Sequence, residues 1–348
     1  MGETHLVTGA SGFIALQLTK QLLEAGHSVH ATVRSLHNEQ KVAPLKTLQA
    51  AHPDKLALFE ADLLRPGSFG PAMAGCSVVH HVASPFWAPE KIRDGQKEMV
   101  EPALEGTRNV LASVNETESV KRVVMTSTIG AIAGDYSDLM GMKDHILSEA
   151  YWNESSTVKH NPYHYSKVVA EREAWKMCEA QERWSLVTIC AGLVLGPCLA
   201  PASNSGSLFI LDELLSGWMF YGVPDLSFIP VDVREVATAH IRAAERPGAH
   251  GRYVVSRGQM ISFLDISRIF RNVHRSPLWL PSWQLPTFIV RIVGPLFGLS
   301  QKWMSSNLGF RFVIDNRRSV EELGISYRPV EETLEDHYRS WLAFKKEK

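Results

Sequence analysis

Short apolar segments alternate with amphipathic segments through the first half of the chain. Strands are predicted at residues 5–8, 28–33, 56–60, 77–82, 120–126 and 186–191. Between the first two strands, apolar residues recur at helical spacing from Phe13 to Ala25, and Gly26 follows at a position typical of a helix end. Strands that alternate with helices predict an α/β fold, a doubly wound parallel sheet with helices on both faces.

The pattern changes after residue 196. Residues 197–207 are rich in Pro, Ser and Gly, and an Asp232–Glu235 capping box then begins a helix that reaches Glu245. A further strand is predicted at residues 253–256, and the chain from Ile261 onward is mostly helical with interspersed prolines. We therefore predict a nucleotide-binding domain over residues 1–196, to which residues 231–256 return. Residues 197–230 and 257–348 are expected to form a smaller, mostly helical substrate-binding lobe.

Composition and charge narrow the classes of function. The chain of 348 residues has 36 basic and 37 acidic residues, so it lacks the positive charge that nucleic-acid binding requires. Its four cysteines lack metal-ligand spacing, which predicts no metal site and a reducing, cytoplasmic location. The N-terminus does not resemble a signal peptide, and Pro286, Arg291 and Pro295 interrupt the apolar stretch 283–299. No membrane partner is expected.

A glycine-rich turn, TGASGFIA at residues 8–15, joins the first strand to the first helix. Gly9 permits the tight turn, Gly12 lets a pyrophosphate approach the backbone, and Ala15 allows close contact between helix and strand. The helix N-terminus supplies free N–H groups for phosphate. An ordinary strand–turn–helix connection is the alternative, but the position in a βαβ unit favours a Rossmann-type dinucleotide site. Its predicted residues are Gly9, Ser11, Gly12, Phe13 and Ile14.

The end of the second strand indicates which nicotinamide cofactor the site prefers. An acidic residue there binds the ribose 2′-hydroxyl of NAD, whereas this chain has Arg34, with Lys41 seven residues further on. Two cations favour the 2′-phosphate, and the predicted cofactor is therefore NADP(H). The alternative is that Arg34 is a solvated surface cation.

The ends of the third and fourth strands carry further candidates. Asp62, beside Leu63, is placed to meet the adenine amino group, although it also suits the N-cap of the segment that follows. Small residues at the fourth strand end would let the backbone lie along the cofactor. These are Val82, Ala83 and Ser84, and Phe86 just beyond them is a candidate for the wall of an apolar substrate pocket.

Tyr163 and Lys167 lie four residues apart at the start of an amphipathic helix, so both project from one face. A phenol is a poor acid at neutral pH unless its anion is stabilised, and a neighbouring ammonium lowers the tyrosine pKa. Lys167 can also bind the nicotinamide ribose. Hydroxyls at Thr126–Thr128 end the fifth strand, where one of them can polarise a substrate carbonyl. A surface i,i+4 pair and strand-end hydrogen bonding are the alternatives.

These motifs, with HVASP at 81–85, EGTRNVL at 105–111, VVMTST at 123–128 and VDVREVATAH at 231–240, resemble the extended short-chain dehydrogenase/reductase family. The similarity is greatest to its dihydroflavonol reductase, cinnamoyl-CoA reductase and fungal aldehyde/ketone reductase group. The resemblance implies a catalytic triad of Thr128, Tyr163 and Lys167, with Ser127 as the alternative hydroxyl. Ser84 and Phe86 are expected to contact the substrate together with Thr128 and Tyr163. Ala191, Gly192 and Val194, after the sixth strand, complete the predicted cofactor site.

The resemblance implies an enzyme that reduces a small aldehyde or ketone with NADPH, with Tyr163 as proton donor. Residues 161–167 of this chain read NPYHYSK, whereas the corresponding segment of the cinnamoyl-CoA reductase branch resembles NWYCYGK. This difference disfavours CoA thioesters as substrates. One alternative is an NAD-linked hydroxysteroid dehydrogenase or sugar epimerase, and another is a non-catalytic NADP-sensing regulatory protein. The expected partner is a small carbonyl compound, and the expected assembly is a monomer or homodimer.

Overall fold

Seven parallel strands form the central sheet in this computed structural model, which describes residues 2–85, 92–201 and 206–345. The strands are β1 Thr4–Val7, β2 Ser28–Val33, β3 Leu56–Glu60, β4 Val78–His81, β5 Arg122–Thr128, β6 Ile146–Leu147, β7 Ser185–Ala191, β8 Leu193–Leu195, β9 Ser227–Phe228, β10 Pro230–Asp232, β11 Gly251–Val255, β12 Ile261–Ser262 and β13 Val313–Ile314. The helices are α1 Phe13–Glu24, α2 Glu39–Ala51, α3 Gly70–Met73, α4 Glu101–Glu116, α5 Pro162–Glu179, α6 Gly206–Leu215, α7 Val233–Glu245, α8 Phe263–Val273, α9 Thr287–Val293, α10 Gln301–Asn307, α11 Arg317–Glu321 and α12 Val330–Lys345.

The order of the strands across the sheet is β3-β2-β1-β4-β5-β7-β11. Every pairing within it is parallel, and the direction of progression reverses between β1 and β4. A reversal of this kind opens a crevice at the carboxyl ends of the strands, where ligands of doubly wound proteins bind. The predicted α/β fold class with a Rossmann-type sheet is confirmed.

Helices cover both faces of the sheet because alternate strand residues project to opposite sides. In β1, Leu6 belongs to an apolar cluster with α3, α4 and α5, whereas Val7 belongs to one with α1, α2 and α7. Both side chains are fully buried. The two clusters hold β1 rigidly, which fixes the start of the glycine-rich turn that follows it.

Helix α7 has the bounds that its capping box predicts. The Asp232 carboxylate accepts a hydrogen bond from the Arg234 amide at 2.8 Å, and the Glu235 carboxylate accepts one from the Asp232 amide at 3.2 Å. These bonds satisfy amides that a helix N-terminus leaves without partners. The chain then returns to the sheet, where β11 pairs with β7.

A further apolar cluster lies among α6, α8 and α12. Phe228 and Phe263 meet edge to face there, and Phe270 and Leu334 are fully buried. The short strands β9 and β12 pair antiparallel at its border. Within the described residues, no helix is long and apolar enough to cross a bilayer.

Candidate active site

The glycine-rich turn between β1 and α1 combines a positive backbone φ with a helix start that has no side-chain cap. Gly9 has a φ of 65°, and a Cβ on it would lie 3.0 Å from the Ala83 Cβ, so glycine is needed for both conformation and space. Gly12 occupies the N-cap of α1 without a side-chain cap, and its amide donates to the Gly9 carbonyl at 2.9 Å. The first-turn amides at Phe13 and Ile14 therefore have no capping side chain, which leaves them available to an anion.

Thr8 joins this turn to the end of β4. Its Oγ1 accepts hydrogen bonds from the amides of Val82 at 3.0 Å and Ala83 at 2.9 Å. These bonds fix the backbone that was predicted to lie along the cofactor. Thr8 was not among the predicted site residues, although its position at the start of the TGASG motif offered a signal.

Arg34 and Lys41 lie beyond the end of β2 without partners. Arg34 is exposed, Lys41 is partly exposed, and neither side chain forms an ion pair with any residue in the described ranges. The backbone amide of Lys41 donates to Asn38 at the start of α2. Two cations without an ion pair in the described ranges fit an anionic group such as a 2′-phosphate.

Asp62 follows β3 and stabilises its own turn. Its Oδ1 accepts from the Leu64 amide at 2.9 Å, while its partly exposed carboxylate keeps acceptor capacity. The N-cap alternative is wrong, because residues 63–69 form turns and the next helix, α3, begins only at Gly70. The side chain of Leu63 packs closely on Gly106 of α4. A Cβ built on Gly106 would lie 3.1 Å from the Leu63 Cβ.

A cavity beside the sheet brings several predicted residues together. Its lining includes Leu63, Ala83, Ser84 and Lys167, together with His81 of β4. Since Thr126 of β5 also lines it, the cavity lies where the residues after β3 and the ends of β4 and β5 meet α5. Phe86, the predicted substrate wall, lies outside the described residues.

Helix α5 begins in a way that holds Tyr163 in its first turn. Pro162 takes the first helical position, and Asn161 before it is left-handed with a φ of 55°. The Asn161 side chain donates to the Gly134 carbonyl and to Asp135, both at 3.0 Å. Tyr163 is partly exposed, whereas Lys167 is only 8% exposed.

Burial dominates the electrostatics of this pair. Burial raises the pKa of Tyr163 to about 12, and it lowers the pKa of Lys167 to about 8 against the opposing effect of Glu171. The Lys167 ammonium lies 5.9 Å from the centre of the Tyr163 ring, over its face. At neutral pH Tyr163 therefore holds its proton, the form that a proton donor needs.

The two hydroxyls at the end of β5 have different partners. Ser127 is buried, and its Oγ donates to Glu171 Oε2 at 2.5 Å. Thr128 is partly exposed, and its Oγ1 accepts from the Gly130 amide at 3.2 Å, which leaves its proton free to donate. Of the two candidates, Thr128 alone retains an uncommitted donor.

The short helical turn Ile129–Ala131 brings Thr128 against the start of α5. A Cβ on Gly130 would lie 2.4 Å from the imidazole of His164, and this imidazole contacts the Gly134 carbonyl through Nδ1 at 3.1 Å. His164 is therefore a packing residue between the turn and the helix. Its contacts set the spacing between the strand end with Thr128 and the first turn with Tyr163.

Glu171 is a site residue that the sequence predictions missed. It is fully buried and accepts hydrogen bonds from Ser127, from Thr188 at 2.8 Å and from Arg252 Nε at 2.8 Å. This network ties α5 to β5, β7 and β11. The spacing of Tyr163, Lys167 and Glu171 at four-residue intervals was the available signal, since all three share one helix face.

The residues after β7 lie next to Thr128. Ala191 is the partner of Thr128 in the register between β7 and β5. A Cβ on Gly192 would lie 2.3 Å from the Ile229 carbonyl oxygen, so only glycine fits there. Val194 lies in β8, opposite Val231 of β10. Of these predicted cofactor residues, Ala191 therefore borders the strand end that carries Thr128, and Val194 lies in the separate pair of β8 with β10.

A profile of the NAD dependent epimerase/dehydratase family matches residues 5–256 of the chain. Cinnamoyl-CoA reductase CAD2 of Medicago truncatula is 34% identical over 344 residues, covering 98% of this chain and 96% of that protein. A putative anthocyanidin reductase of Ginkgo biloba is 38% identical over 334 residues, covering 90% and 91%. The crystal structure of Gre2 from Candida albicans in complex with NADPH superposes with a TM-score of 0.78 at 28% identity, covering 98% and 99%. The resemblance seen in the sequence is confirmed.

Proposed function

Because this chain belongs to the NAD dependent epimerase/dehydratase family and is an oxidoreductase of it, we propose that it reduces a small aldehyde or ketone with NADPH. The observation that carries the proposal is that Tyr163 and the buried Lys167 share one face of α5, while the turn that follows Thr128 packs on His164 of the same helix and the Thr128 hydroxyl keeps a free proton. A phenol that holds its proton at neutral pH suits reduction, in which the enzyme gives a proton to the carbonyl oxygen.

The residues present fit an NADP(H) cofactor. The uncapped N-terminus of α1 and the turn from Gly9 to Ile14 would hold its pyrophosphate, and Arg34 with Lys41 would hold the 2′-phosphate. Bound there, the cofactor supplies the hydride for the reduction. The NADPH in the Candida albicans neighbour, which is 28% identical, supports this choice.

The chain's own residues account for the proton and for the orientation of the substrate. The Thr128 hydroxyl donates to the carbonyl oxygen and polarises it, and Tyr163 Oη delivers its proton to the same oxygen. Lys167, with a pKa near 8, is mostly an ammonium at neutral pH and stabilises the phenolate that is left. Glu171 favours that charge, since its carboxylate raises the Lys167 pKa against the effect of burial.

The choice of substrate class rests on the segment around Tyr163. The 34% identical relative is named a cinnamoyl-CoA reductase, whereas Asn161–Lys167 of this chain departs from the pattern of that branch. We therefore propose free aldehydes and ketones rather than CoA thioesters. A panel of aliphatic and aromatic aldehydes, ketones, flavonoid-like ketones and CoA thioesters, followed by oxidation of NADPH, tests this choice. Turnover of thioesters alone would contradict it.

The cofactor is tested by comparing NADPH with NADH in binding titrations. Wild type is expected to prefer NADPH, and Arg34→Ala is expected to weaken NADPH binding by about 10- to 100-fold because one charge-assisted contact is lost. NADH binding should change little. An equal loss for both cofactors, or a wild type that prefers NADH, would contradict the assignment and favour the NAD-linked alternatives.

A further inference from the structure

Helix α9 and the turn after it present large apolar side chains to water. Phe288, Ile292 and Leu296 follow one another at four-residue spacing and are 65%, 72% and 85% exposed. We call these three residues the apolar stripe. The opposite side of the same segment is buried through Val290 and Gly294, so the segment is packed on the protein by one face and apolar on the other.

Exposed aromatic residues continue this surface. Trp283 precedes α9, and its carbonyl accepts from the Val223 amide at 3.4 Å, while the Leu285 amide donates to the Val223 carbonyl at 2.8 Å. Those contacts place residues 218–223 beside residues 283–285. Trp218 and Phe220 on the first of these segments are 74% and 62% exposed. Indole rings of this kind are enriched where a protein meets the lipid headgroup level.

The sequence stretch that contains the stripe carries only basic charges of its own, although Asp225 pairs with Arg311 at its end. Residues 266–314 contain no aspartate or glutamate, although the whole chain carries 37 such residues and a net charge of -1. Among the basic residues of this stretch, Arg275, Arg291 and Lys302 are exposed and form no ion pair within the described part of the chain. Arg291 lies within α9 itself, between Phe288 and Ile292.

Exposed apolar side chains together with cations unpaired within the described residues favour an anionic lipid bilayer as the partner. A two-fold contact with a second copy would bring the same cations against each other, which opposes association. An anionic bilayer complements both features, since it attracts lysine and arginine at its surface and accepts apolar side chains beneath the headgroups. The helical segment 287–297 spans only about 16 Å at 1.5 Å per residue, too short to cross.

We propose that this surface binds peripherally to anionic lipid bilayers, with the apolar stripe inserted below the headgroups and Arg275, Arg291 and Lys302 at their level. Such contact differs from the membrane span that the prolines of residues 283–299 exclude. The proposal stands independently of the substrate.

Vesicle flotation with the full chain and NADPH tests this surface. Wild type should float with phosphatidylserine/phosphatidylcholine vesicles and much less with phosphatidylcholine alone. Phe288→Ser/Ile292→Ser should abolish flotation because the inserted groups are lost. Arg291→Gln/Lys302→Gln should weaken binding about five-fold for each cation removed and reduce its dependence on salt.

Matched controls separate this surface from general effects on exposed residues. Val320→Ser removes an exposed apolar residue from α11, and Lys121→Gln/Lys176→Gln removes two exposed cations elsewhere, so both variants should float like wild type. Thermal melting should show that all variants remain folded, since each changed side chain faces water. Absence of wild-type flotation at low salt, or equal flotation of the stripe variant, would overturn the proposal. So would a wild-type dimer that the stripe variant converts to a monomer without any lipid binding.

Discussion

At the scale of single residues, the end of β5 carries two adjacent hydroxyls with different tasks. Ser127 is bound to the buried Glu171, and Thr128 is partly exposed with only its acceptor side occupied. Removal of either hydroxyl leaves a different group without a partner. The two substitutions therefore separate a structural role from a chemical one.

Thr128→Val is expected to lower kcat about 10²- to 10³-fold, as loss of a donor to a reacting oxygen does. Thr128→Ser keeps a hydroxyl and should retain most of the activity. Ser127→Ala leaves Glu171 one donor short, so it should destabilise the fold by about 1–3 kcal/mol while kcat of the folded enzyme changes little. Steady-state kinetics and urea unfolding measure both effects. A larger loss of kcat in Ser127→Ala than in Thr128→Val would reverse the assignment.

Spacing along the chain was sufficient to predict some of these residues. Tyr163 and Lys167 could be found because a helix turns every 3.6 residues and places them on one face. The partners of Glu171 could not, because Ser127, Thr188 and Arg252 lie on three different strands. Likewise the raised pKa of Tyr163 depends on burial, which the sequence does not reveal.

At the scale of elements, the contact between the turn Ile129–Ala131 and the start of α5 sets the geometry of the site. Gly130 lies under the His164 ring, and the Asn153 side chain donates to the Gly130 carbonyl at 2.6 Å. The turn is thus held from both sides. Any side chain at position 130 would push the strand end and the helix apart.

Gly130→Ala should therefore lower stability by about 1–3 kcal/mol through overpacking. It should also lower kcat about 10- to 100-fold, because Thr128 and Tyr163 would no longer share their present spacing. Gly141→Ala is the matched control, since a Cβ there meets no atom within 4 Å among the described residues. Melting temperatures and kcat of both variants check the idea. Two variants that behave alike would contradict it.

Elements with strong local signals were predictable, and those set by tertiary contacts were not. The capping box at Asp232 and Glu235 marks the start of α7 correctly, and the end at Glu245 also agrees. Phe13 correctly marks the start of α1. The short helical turns between Ile129 and His145 have no periodic apolar pattern, so they were not foreseen.

At the scale of the whole molecule, the sheet contains an unusual set of buried imidazoles. His5 Nδ1 lies 3.0 Å from His80 Nε2, and His240 Nε2 lies 2.8 Å from the Thr126 hydroxyl. His81 contacts Thr8. Burial lowers the pKa of His5, His81 and His240 to about 3, and that of His80 well below 6.5. All four are therefore neutral in the folded protein.

Acid should destabilise this protein steeply. The unfolded imidazoles take up protons below a pKa of 6.5, while the folded ones stay neutral until about pH 3. Stability is thus full above pH 6.5 and lost as pH falls towards 3, by up to about 1.4 kcal/mol per pH unit for each histidine. Urea unfolding at pH 7, 6 and 5 measures this slope, and His240→Gln should reduce it. A free energy of unfolding that stays constant from pH 7 to pH 5 would contradict the account.

The whole-molecule arrangement was predictable where the strand–helix alternation is regular. The doubly wound sheet follows from the first half of the chain and the family from motifs that extend to residues 231–240, and both are confirmed. The exposed surface of α9 was not foreseen, because an apolar stretch gives the same sequence signal whether it is packed or open to water. The division into domain and lobe remains a prediction.

The central claim is that Tyr163 gives the proton that completes carbonyl reduction. Tyr163→Phe removes one oxygen and keeps the ring, so the direct test is to measure kcat and NADPH affinity of this variant beside wild type. The account predicts a kcat lowered by at least about 10²-fold, the usual contribution of a positioned acid, with NADPH affinity almost unchanged. A variant that binds NADPH and retains most of its kcat would contradict the account.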